Sequence, residues 1–276
     1  MNHGTMTSPR DDSRFAGSIP EIYDEYLVPL IFQSYANDLA TRAVRTSDNS
    51  ILELAAGTGV LTRALAATLP TSTTLVATDL NPEMIDRARQ RGTARPVEWR
   101  QADALHLPFP EASFDTVLCQ FGVMFFPDRV AGFREARRVL RPRGCLIFSV
   151  WDRIEENDFA AVTTEALATL FPDAPPRFMA RIPHGYHDKA EIERDLVQGG
   201  FDRGVAIDTV SARSLAESPR IPAVGYCQGT PLRNEIEGQG GRLGEATDYV
   251  EQALARQFGS GAVDGKIQAH IVVVES

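Results

Sequence analysis

The sequence is poor in cysteine and has no excess of positive charge, and each shortage excludes a class of protein. Its 276 residues include three cysteines, Cys119, Cys145 and Cys227, at wide spacings and without a CxxC pair. Neither a disulfide framework nor a zinc site is therefore expected. Acidic residues outnumber basic ones, 37 to 28, for a net charge of −9. Because nucleic-acid binders usually present a positive surface, no nucleic-acid partner is expected.

Long apolar runs are also missing. The first residues, MNHGTMTSPRDD, contain no apolar segment of the kind that directs secretion. The longest apolar runs elsewhere are far too short to span a bilayer. We therefore expect a soluble, cytoplasmic protein without a membrane partner. The hydrophobic fraction of 43% is ample for one large core, or for a core domain with an appendage.

Strand-like and helix-like patterns alternate through the middle of the chain. We predict five strands there, at residues 50–54, 74–78, 97–101, 114–119 and 145–151. Three helices are predicted between them. The first begins with residues 61–67, and the other two span residues 82–91 and 130–140. The segment Arg141-Pro-Arg-Gly144 ends the third helix. This alternation favours an α/β fold, with a parallel sheet covered by helices on both faces.

The two ends of the chain are predicted to be more helical. Residues 19–45 carry apolar groups at roughly helical spacing, interrupted at Pro29, which predicts two helical pieces. After residue 151 we predict helices at 159–170, 189–198, 222–236 and 243–258, and strands at 205–211 and 267–274. We expect residues 1–45 to form an N-terminal helical cover. Residues 46–276 would form one domain with inserted cover segments at about 154–190 and 219–260.

The stretch ILELAAGTGV, at residues 51–60, predicts a strand that runs into a glycine turn. A dinucleotide fingerprint needs a third glycine where this chain has Thr62, and the Gly-Lys-Ser/Thr of a P-loop is missing. Glu53, inside the strand, would sit poorly beside a pyrophosphate but suits a ligand with positive groups, such as S-adenosylmethionine. Backbone N–H groups at the helix start can receive that ligand's carboxylate. Alternatively, Glu53 only braces the turn by accepting backbone hydrogen bonds.

Two aspartates follow the next strands. Asp79 ends the second strand, where a carboxylate faces the ribose hydroxyls of a nucleoside in a doubly wound sheet. That role serves NAD and S-adenosylmethionine equally, and Asp79 could instead cap the helix that begins after Asn81. Asp103 follows the third strand and could accept a hydrogen bond from an adenine amino group.

Four segments occur in one order over about residues 50–151: LELAAGTGVLT, VATDLNPEMIDRAR, VEWRQADALHLPFPEASFDTVLCQFGVMFF and ARRVLRPRG. With them the chain resembles the class I S-adenosylmethionine-dependent methyltransferases, in particular the ubiquinone/menaquinone-biosynthesis type and its small-molecule relatives. The resemblance implies a Rossmann-like, doubly wound sheet of seven strands whose last strand, here 267–274, runs antiparallel. It also implies S-adenosyl-L-methionine as cofactor, S-adenosyl-L-homocysteine as product, and a small organic acceptor that is methylated at O, N or C.

The resemblance carries cofactor-binding roles onto individual residues. The turn should hold the methionine end, Leu80 and Met84 should cover the adenine, and Gln120 should lie beside the transferring methyl. The full predicted set is Tyr23, Glu53, Ala55, Gly57, Gly59, Thr62, Asp79, Leu80, Met84, Asp103, Ala104 and Gln120. Two positions depart from the family pattern, since Ala55 and Arg143 each replace a common glycine.

The acceptor side is less specific in the sequence. We predict a pocket formed by Tyr26, Phe121, Met124, Phe125, Tyr226 and Arg233, although plain core packing is an alternative for each aromatic. His184 and His187 are candidate general bases by residue type, or ordinary loop histidines. Two other functions stay open: a non-catalytic S-adenosylmethionine or S-adenosylhomocysteine binder, and a nicotinamide-dependent oxidoreductase. A homodimer is a further possibility that the sequence leaves open.

Overall fold

A computed structural model describes residues 12, 15–44, 50–202, 204–240 and 242–276. These residues contain seven strands: β1 (Ser50–Leu54), β2 (Thr74–Asp79), β3 (Glu98–Gln101), β4 (Phe114–Gln120), β5 (Leu140–Trp151), β6 (Ala206–Ala216) and β7 (Val263–Glu275). They form one sheet in the order β3-β2-β1-β4-β5-β7-β6. The first five strands are parallel to their neighbours, and β7 runs antiparallel between β5 and β6. The predicted seven-stranded architecture is therefore confirmed.

Helices cover the sheet. They are α1 (Ile19–Ile22), α2 (Gln33–Arg42), α3 (Val60–Thr68), α4 (Pro82–Arg91), α5 (Arg129–Val139), α6 (Asp158–Leu170), α7 (Phe178–Arg181), α8 (Lys189–Gln198), α9 (Arg220–Gln228), α10 (Leu232–Glu237) and α11 (Leu243–Phe258). Both faces of β1 and β4 are buried, because parallel strands between helical layers have no face toward water. No described helix combines the length and the apolar character needed to cross a bilayer.

The predicted break at Pro29 is wrong. A π-helix over Tyr23–Phe32 contains this proline and joins α1 to α2, so the segment is continuously helical. The N–H of Gln33 donates to the carbonyl of Val28, five residues earlier, in the wider π pattern. A proline cannot donate a hydrogen bond and crowds the carbonyl four residues before it in an α-helix. Wider helical turns with a different hydrogen-bond register tolerate that crowding.

The helix predicted over residues 222–236 is two helices in the structure. Helix α9 ends at Gln228, and the N–H of Gly229 closes it on the carbonyl of Gly225. The hydroxyl of Thr230 then donates to the carbonyl of Tyr226 at 2.9 Å, and Pro231 precedes α10. Since Pro231 has no N–H to donate the hydrogen bond that would continue α9, the first helix ends here and α10 begins as a separate helix.

Asp24 joins the π-helix to α3 and α4. Its side chain is buried, with 1% of its surface exposed, and three arginines from α3 and α4 surround it. Nitrogen–oxygen distances to the carboxylate are 3.7 Å for Arg63, 3.0 Å for Arg87 and 3.3 Å for Arg91. The buried carboxylate thus has three cationic partners, and it fastens the π-helix to α3 and to the carboxyl-terminal half of α4.

We predict that Asp24→Asn lowers the free energy of unfolding by about 2 kcal/mol, because Arg87 loses a charged hydrogen-bond acceptor and Arg63 and Arg91 lose an ion-pair partner. Urea denaturation at neutral pH measures this loss. Glu25→Gln is the matched control, since it makes the same chemical change one residue away on an exposed side chain. Equal stability of the two variants would show that the arginine cluster does not hold the cover.

Candidate functional site

A cavity of about 620 Å³ lies over the carboxyl ends of the parallel strands. Its floor contains the residues at or just beyond these strand ends: Ala55, Gly57, Asp79, Asp103, Gln120, Phe121 and Trp151. Its roof comes from the N-terminal cover and two later segments: Phe15, Tyr23, Leu27, Ile31, Phe32, Phe178, Met179, Pro183, Tyr226 and Thr230. The carboxyl edge of a doubly wound sheet is where ligands bind in this class of architecture. This cavity is therefore the candidate active site.

The glycine turn after β1 presents open backbone to the cavity. Ala55, Gly57 and Gly59 have φ values of 50°, 56° and 82°, in the left-handed region. A Cβ at Gly59 would lie 2.8 Å from the ring of Trp99, so glycine is needed there for packing. A Cβ at Gly57 would meet nothing within 4 Å, and the residue lines the cavity. The missing side chain at Gly57 thus leaves a cradle in which a ligand can approach the main chain.

Asp79 connects this turn to the end of β2. Its carboxylate accepts hydrogen bonds from the N–H of Gly57 and the N–H of Asn81, both at 2.8 Å. Burial raises the pKa of Asp79, while these N–H donors oppose the rise. A carboxylate can accept about four hydrogen bonds. The side-chain amide of Asn81 adds a longer bond of 3.4 Å to the oxygen that also accepts from its N–H. The other oxygen, which accepts from Gly57, keeps capacity for a donor inside the cavity, such as a ribose hydroxyl.

Glu53 lies beneath the turn and outside the cavity wall. Its side chain accepts a 2.6 Å hydrogen bond from the hydroxyl of Thr62. Burial raises the pKa of Glu53 to about 8, against the lowering effects of Thr62 and the Arg63 guanidinium. The carboxyl group and the hydroxyl thus brace the start of α3 against β1. The bracing alternative named backbone N–H donors, whereas the donor in the structure is the hydroxyl of Thr62.

Gln120 and Phe121 extend the floor beyond β4. The amide nitrogen of Gln120 donates to the carbonyl of Phe32 in the π-helix at 2.9 Å, while its amide oxygen is buried without a partner. Phe121 has a φ of 51° and stacks on Trp151, with ring centroids 3.9 Å apart and planes 6° from parallel. The left-handed backbone turns the Phe121 ring onto the end of β5, where it forms an aromatic surface.

The structure brings most predicted site residues together around this cavity. Those in its wall are Tyr23, Ala55, Gly57, Asp79, Leu80, Met84, Asp103, Ala104, Gln120, Phe121, Phe125 and Tyr226. Those outside it are Glu53, Gly59, Thr62, Tyr26, Met124, Arg233, His184 and His187. Arg233 instead pairs with Glu237 and donates to the hydroxyl of Ser18, so it links α10 to the N-terminal cover.

The two histidines serve the cover segment that contains α7. His184 is buried, and its Nδ1 lies 2.8 Å from the carbonyl of Asp152. Because a carbonyl only accepts hydrogen bonds, Nδ1 carries the proton. Burial lowers the pKa of His184 to about 4. The Nδ1 of His187 lies 3.0 Å from the carbonyl of His184, so the two histidines are linked within the same segment. Neither ring reaches the cavity, so neither is placed to take a proton from a ligand there.

Several wall residues were not predicted: Phe15, Leu27, Ile31, Phe32, Asn81 and Trp151. A signal was available for Trp151, since it is the last residue of β5 and the carboxyl ends of parallel strands share one edge. No comparable signal existed for Leu27, Ile31 and Phe32. Their helical spacing predicts a buried face, but only the folded chain shows that this face covers a cavity.

The chemistry of the wall fits S-adenosylmethionine. In the part of the chain that the structure describes, the wall contains two carboxylates, Asp79 and Asp103, and no lysine, arginine or histidine. A ligand with an ammonium and a sulfonium suits such a surface, whereas a pyrophosphate lacks a cationic partner in it. The open cradle at Gly57 can meet a carboxylate, and Leu80, half exposed at the cavity, can contact an adenine face. Within the same described residues no metal-binding cluster occurs.

Comparison with known proteins agrees with this chemistry. Residues 52–148 match the family model described as a methyltransferase domain. The chain is 39% identical over 125 residues to a demethylmenaquinone methyltransferase of Deinococcus radiodurans, covering 45% of this chain and 52% of that protein. It is 30% identical over 171 residues to the ubiquinone/menaquinone biosynthesis C-methyltransferase UbiE of Pseudomonas putida, covering 57% of this chain and 66% of that protein. The matches thus span about half to two thirds of these relatives.

Solved structures share the fold. One is a phosphoethanolamine N-methyltransferase 2 of Haemonchus contortus in complex with S-adenosyl-L-methionine, with a TM-score of 0.61 and 14% identity over 99% of this chain and 60% of that one. Another is the YcgJ protein of Bacillus subtilis, with a TM-score of 0.54 and 16% identity over 88% of this chain and 98% of that one. The fold is the α/β fold of these solved structures, and residues 52–148 form a methyltransferase domain. Over this domain the chain is similar to the class I S-adenosylmethionine-dependent methyltransferases of the ubiquinone/menaquinone-biosynthesis type.

The buried carboxyl group of Glu53 predicts a pH-dependent stability. Its pKa is raised on folding, so the folded protein keeps the proton at pH values where the unfolded chain has released it. The contribution of Glu53 to the free energy of unfolding is therefore fully present below its ordinary pKa near 4.5. This contribution is lost as the pH rises toward about 8. Relative to Glu53→Gln, the wild type should lose about 1.4 kcal/mol of unfolding free energy per pH unit within this window.

Urea denaturation at several pH values between 5 and 8 measures the effect. The control is Glu83→Gln, which neutralises an exposed glutamate at the start of α4. It should follow the wild-type pH profile. A stability difference between wild type and Glu53→Gln that does not change with pH would mean that Glu53 is ionised in the folded protein.

Proposed function

We propose that this protein transfers a methyl group from S-adenosyl-L-methionine to a small, uncharged and largely apolar acceptor. The observation that carries the proposal is the composition of one cavity wall. Its carboxylates and open backbone lie at the ends of β1 to β3, and its stacked aromatic rings lie at the ends of β4 and β5. A charged nucleoside and an apolar partner can thus be held side by side.

The cofactor supplies an activated methyl group on a sulfonium, so the protein's contribution is alignment and exclusion of water. Asp79, already fixed by two backbone N–H groups, is placed to receive ribose hydroxyls. Gly57 opens the main chain to the methionine end. The roof residues, led by Tyr23 and Phe32, shield the reaction from bulk water. The described wall residues include no histidine or lysine that can act as a base. This favours acceptors whose attacking atom does not have to lose a proton before it attacks.

Two features support an apolar acceptor. The aromatic end of the cavity has no basic side chain, among the described residues, that could bind a phosphate or a carboxylate. The curated relatives are named for methylation in ubiquinone and menaquinone biosynthesis, so a reduced, hydroquinone-type ring is a reasonable first acceptor to try. Its electron-rich carbon can attack the methyl group, and the ring proton is then released to solvent. Turnover is tested by incubating the protein with S-adenosylmethionine and individual ring-bearing metabolites and quantifying S-adenosylhomocysteine.

Binding of the cofactor is the first requirement. We predict that S-adenosylmethionine and S-adenosylhomocysteine bind and that NAD does not, because the cavity wall presents carboxylates and no described cationic group for a pyrophosphate. Isothermal titration calorimetry with the three ligands measures this. Tight NAD binding without affinity for either sulfur compound would favour an oxidoreductase. Binding of the sulfur compounds without turnover of any acceptor would favour a non-catalytic binder.

Asp79→Ala should weaken S-adenosylhomocysteine binding by about 1–3 kcal/mol, the range for losing hydrogen bonds to a charged group. The same calorimetric titration measures the change, and circular dichroism confirms that the variant is folded. Glu83→Ala removes an exposed carboxylate four residues further along the chain and serves as the control. An unchanged affinity in folded Asp79→Ala would remove this carboxylate from the cofactor site.

A further inference from the structure

The two ends of the cavity differ in polarity. Asp79 ends β2 and Trp151 ends β5, three strand positions apart in the sheet. This separation is about 14 Å at the usual strand spacing. The stack of Phe121 on Trp151 marks the β5 end, and the ring of Phe32 lies 5.6 Å and 5.8 Å from these two rings. If the carboxylate end holds the cofactor, as the proposed function requires, the aromatic end is left for the acceptor.

Tyr226 places a hydroxyl in this largely apolar roof. The residue is 2% exposed and belongs to the cavity wall. Two other buried tyrosines have partners, since Tyr35 donates to the carbonyl of Val210 at 3.0 Å and Tyr186 to Asp195 at 2.9 Å. The hydroxyl of Tyr226 makes no hydrogen bond to any described residue. The unpartnered oxygens that are fully buried do not include it, so part of this hydroxyl is accessible. It therefore faces the cavity.

The backbone of Tyr226 is held firmly. Thr230 donates to its carbonyl at 2.9 Å. One residue earlier, a Cβ at Gly225 would lie 2.9 Å from Leu27, so α9 rests directly on the π-helix. A buried polar group normally has a hydrogen-bond partner. A rigidly placed, unpartnered hydroxyl in a ligand cavity indicates that the ligand supplies the partner.

We propose that Tyr226 is a specificity-determining residue whose hydroxyl donates a hydrogen bond to an oxygen atom of the methyl acceptor. The acceptor class is a ring-bearing, uncharged molecule with a carbonyl or a comparable oxygen. The inference rests on the proposed function, because it takes the aromatic end of the cavity to be the acceptor end. Burial alone raises the pKa of Tyr226, so the phenol is neutral and acts as a hydrogen-bond donor without taking part in proton transfer.

Tyr23 is the other cavity tyrosine without a described hydrogen-bond partner, but its surroundings differ. Burial raises the pKa of Tyr23 most, and the negative charges of Asp79 and Asp24 raise it further. The ring of Tyr23 packs against the rings of Phe32 and Phe15, with centroids 4.9 Å and 5.9 Å away. Tyr226 comes from α9, which meets the π-helix at Leu27. The two hydroxyls therefore belong to different roof elements, and single substitutions can tell their effects apart.

The test compares two probes of nearly the same shape, 4′-fluoroacetophenone and 4-fluoro-α-methylstyrene, which differ by a carbonyl oxygen in place of a methylene. Fluorine NMR titrations measure the dissociation constant of each probe for the full chain saturated with S-adenosylhomocysteine. The measured quantity is the affinity of the ketone divided by the affinity of the alkene. In Tyr226→Phe this ratio should fall by about two- to tenfold, the effect of losing one neutral hydrogen bond. The alkene should bind both proteins equally.

Two control variants complete the experiment. Tyr249→Phe makes the same change in a groove between α6 and α11, away from the cavity, and should leave the ratio at its wild-type value. Tyr23→Phe should also leave the ratio unchanged. The proposal is overturned if the ratio is the same in wild type and Tyr226→Phe, if only Tyr23→Phe lowers it, or if neither probe binds. Failure of S-adenosylhomocysteine to bind at the outset would instead defeat the proposed function itself.

Discussion

The hydrogen bond from the N–H of Gly57 to the carboxylate of Asp79, 2.8 Å long, is the contact on which the site depends. It ties the turn after β1 to the end of the neighbouring strand β2. A second bond, from the N–H of Ala56 to the carbonyl of Thr78, runs parallel to it. Together they hold a turn in which Ala55 and Gly57 have left-handed backbone angles. Such angles cost free energy for alanine and persist only where surrounding contacts enforce them.

The same turn is linked to the cover above the cavity. Arg63 donates from its guanidinium to the carbonyl of Thr58 in the turn at 2.7 Å, and it also faces Asp24 of the π-helix. At the other side of the cavity, Gln120 donates to the carbonyl of Phe32 in the same helix. The N-terminal cover is thus joined by polar contacts to both the turn and the end of β4. The turn and the roof are therefore connected through hydrogen bonds and an ion pair.

The distribution of ionisable groups agrees with a reaction that needs little acid–base help. The described histidines near the cavity are used to fix the segment around α7, and burial lowers the pKa of His184 to about 4. Burial likewise raises the pKa of the Cys119 thiol to about 12, so it is a packed side chain and a poor nucleophile. What the cavity offers is shape: a carboxylate end, an aromatic end and a roof that excludes water.

The sequence by itself determined the order of strands and helices, the glycine turn and the acids at the strand ends. These features follow from local patterns, because the period of apolar residues and the turn chemistry are set by neighbours along the chain. It also predicted β7 as the final strand, although the antiparallel direction came from the family resemblance. Asp79 and Asp103 could be placed because parallel strands bring their carboxyl ends to one edge, whereas Gln120 was placed by the family resemblance.

Only the tertiary structure decided which side chains face the cavity. Glu53 and Thr62 are close to the turn in sequence, but they pair with each other beneath it. Tyr26 and Arg233 point elsewhere, whereas Leu27 and Trp151 join the wall. The continuous helix through Pro29 also depended on context. These outcomes follow from contacts between segments up to two hundred residues apart, since packing against distant elements fixes which face of a helix is covered and which polar atom is left for a ligand.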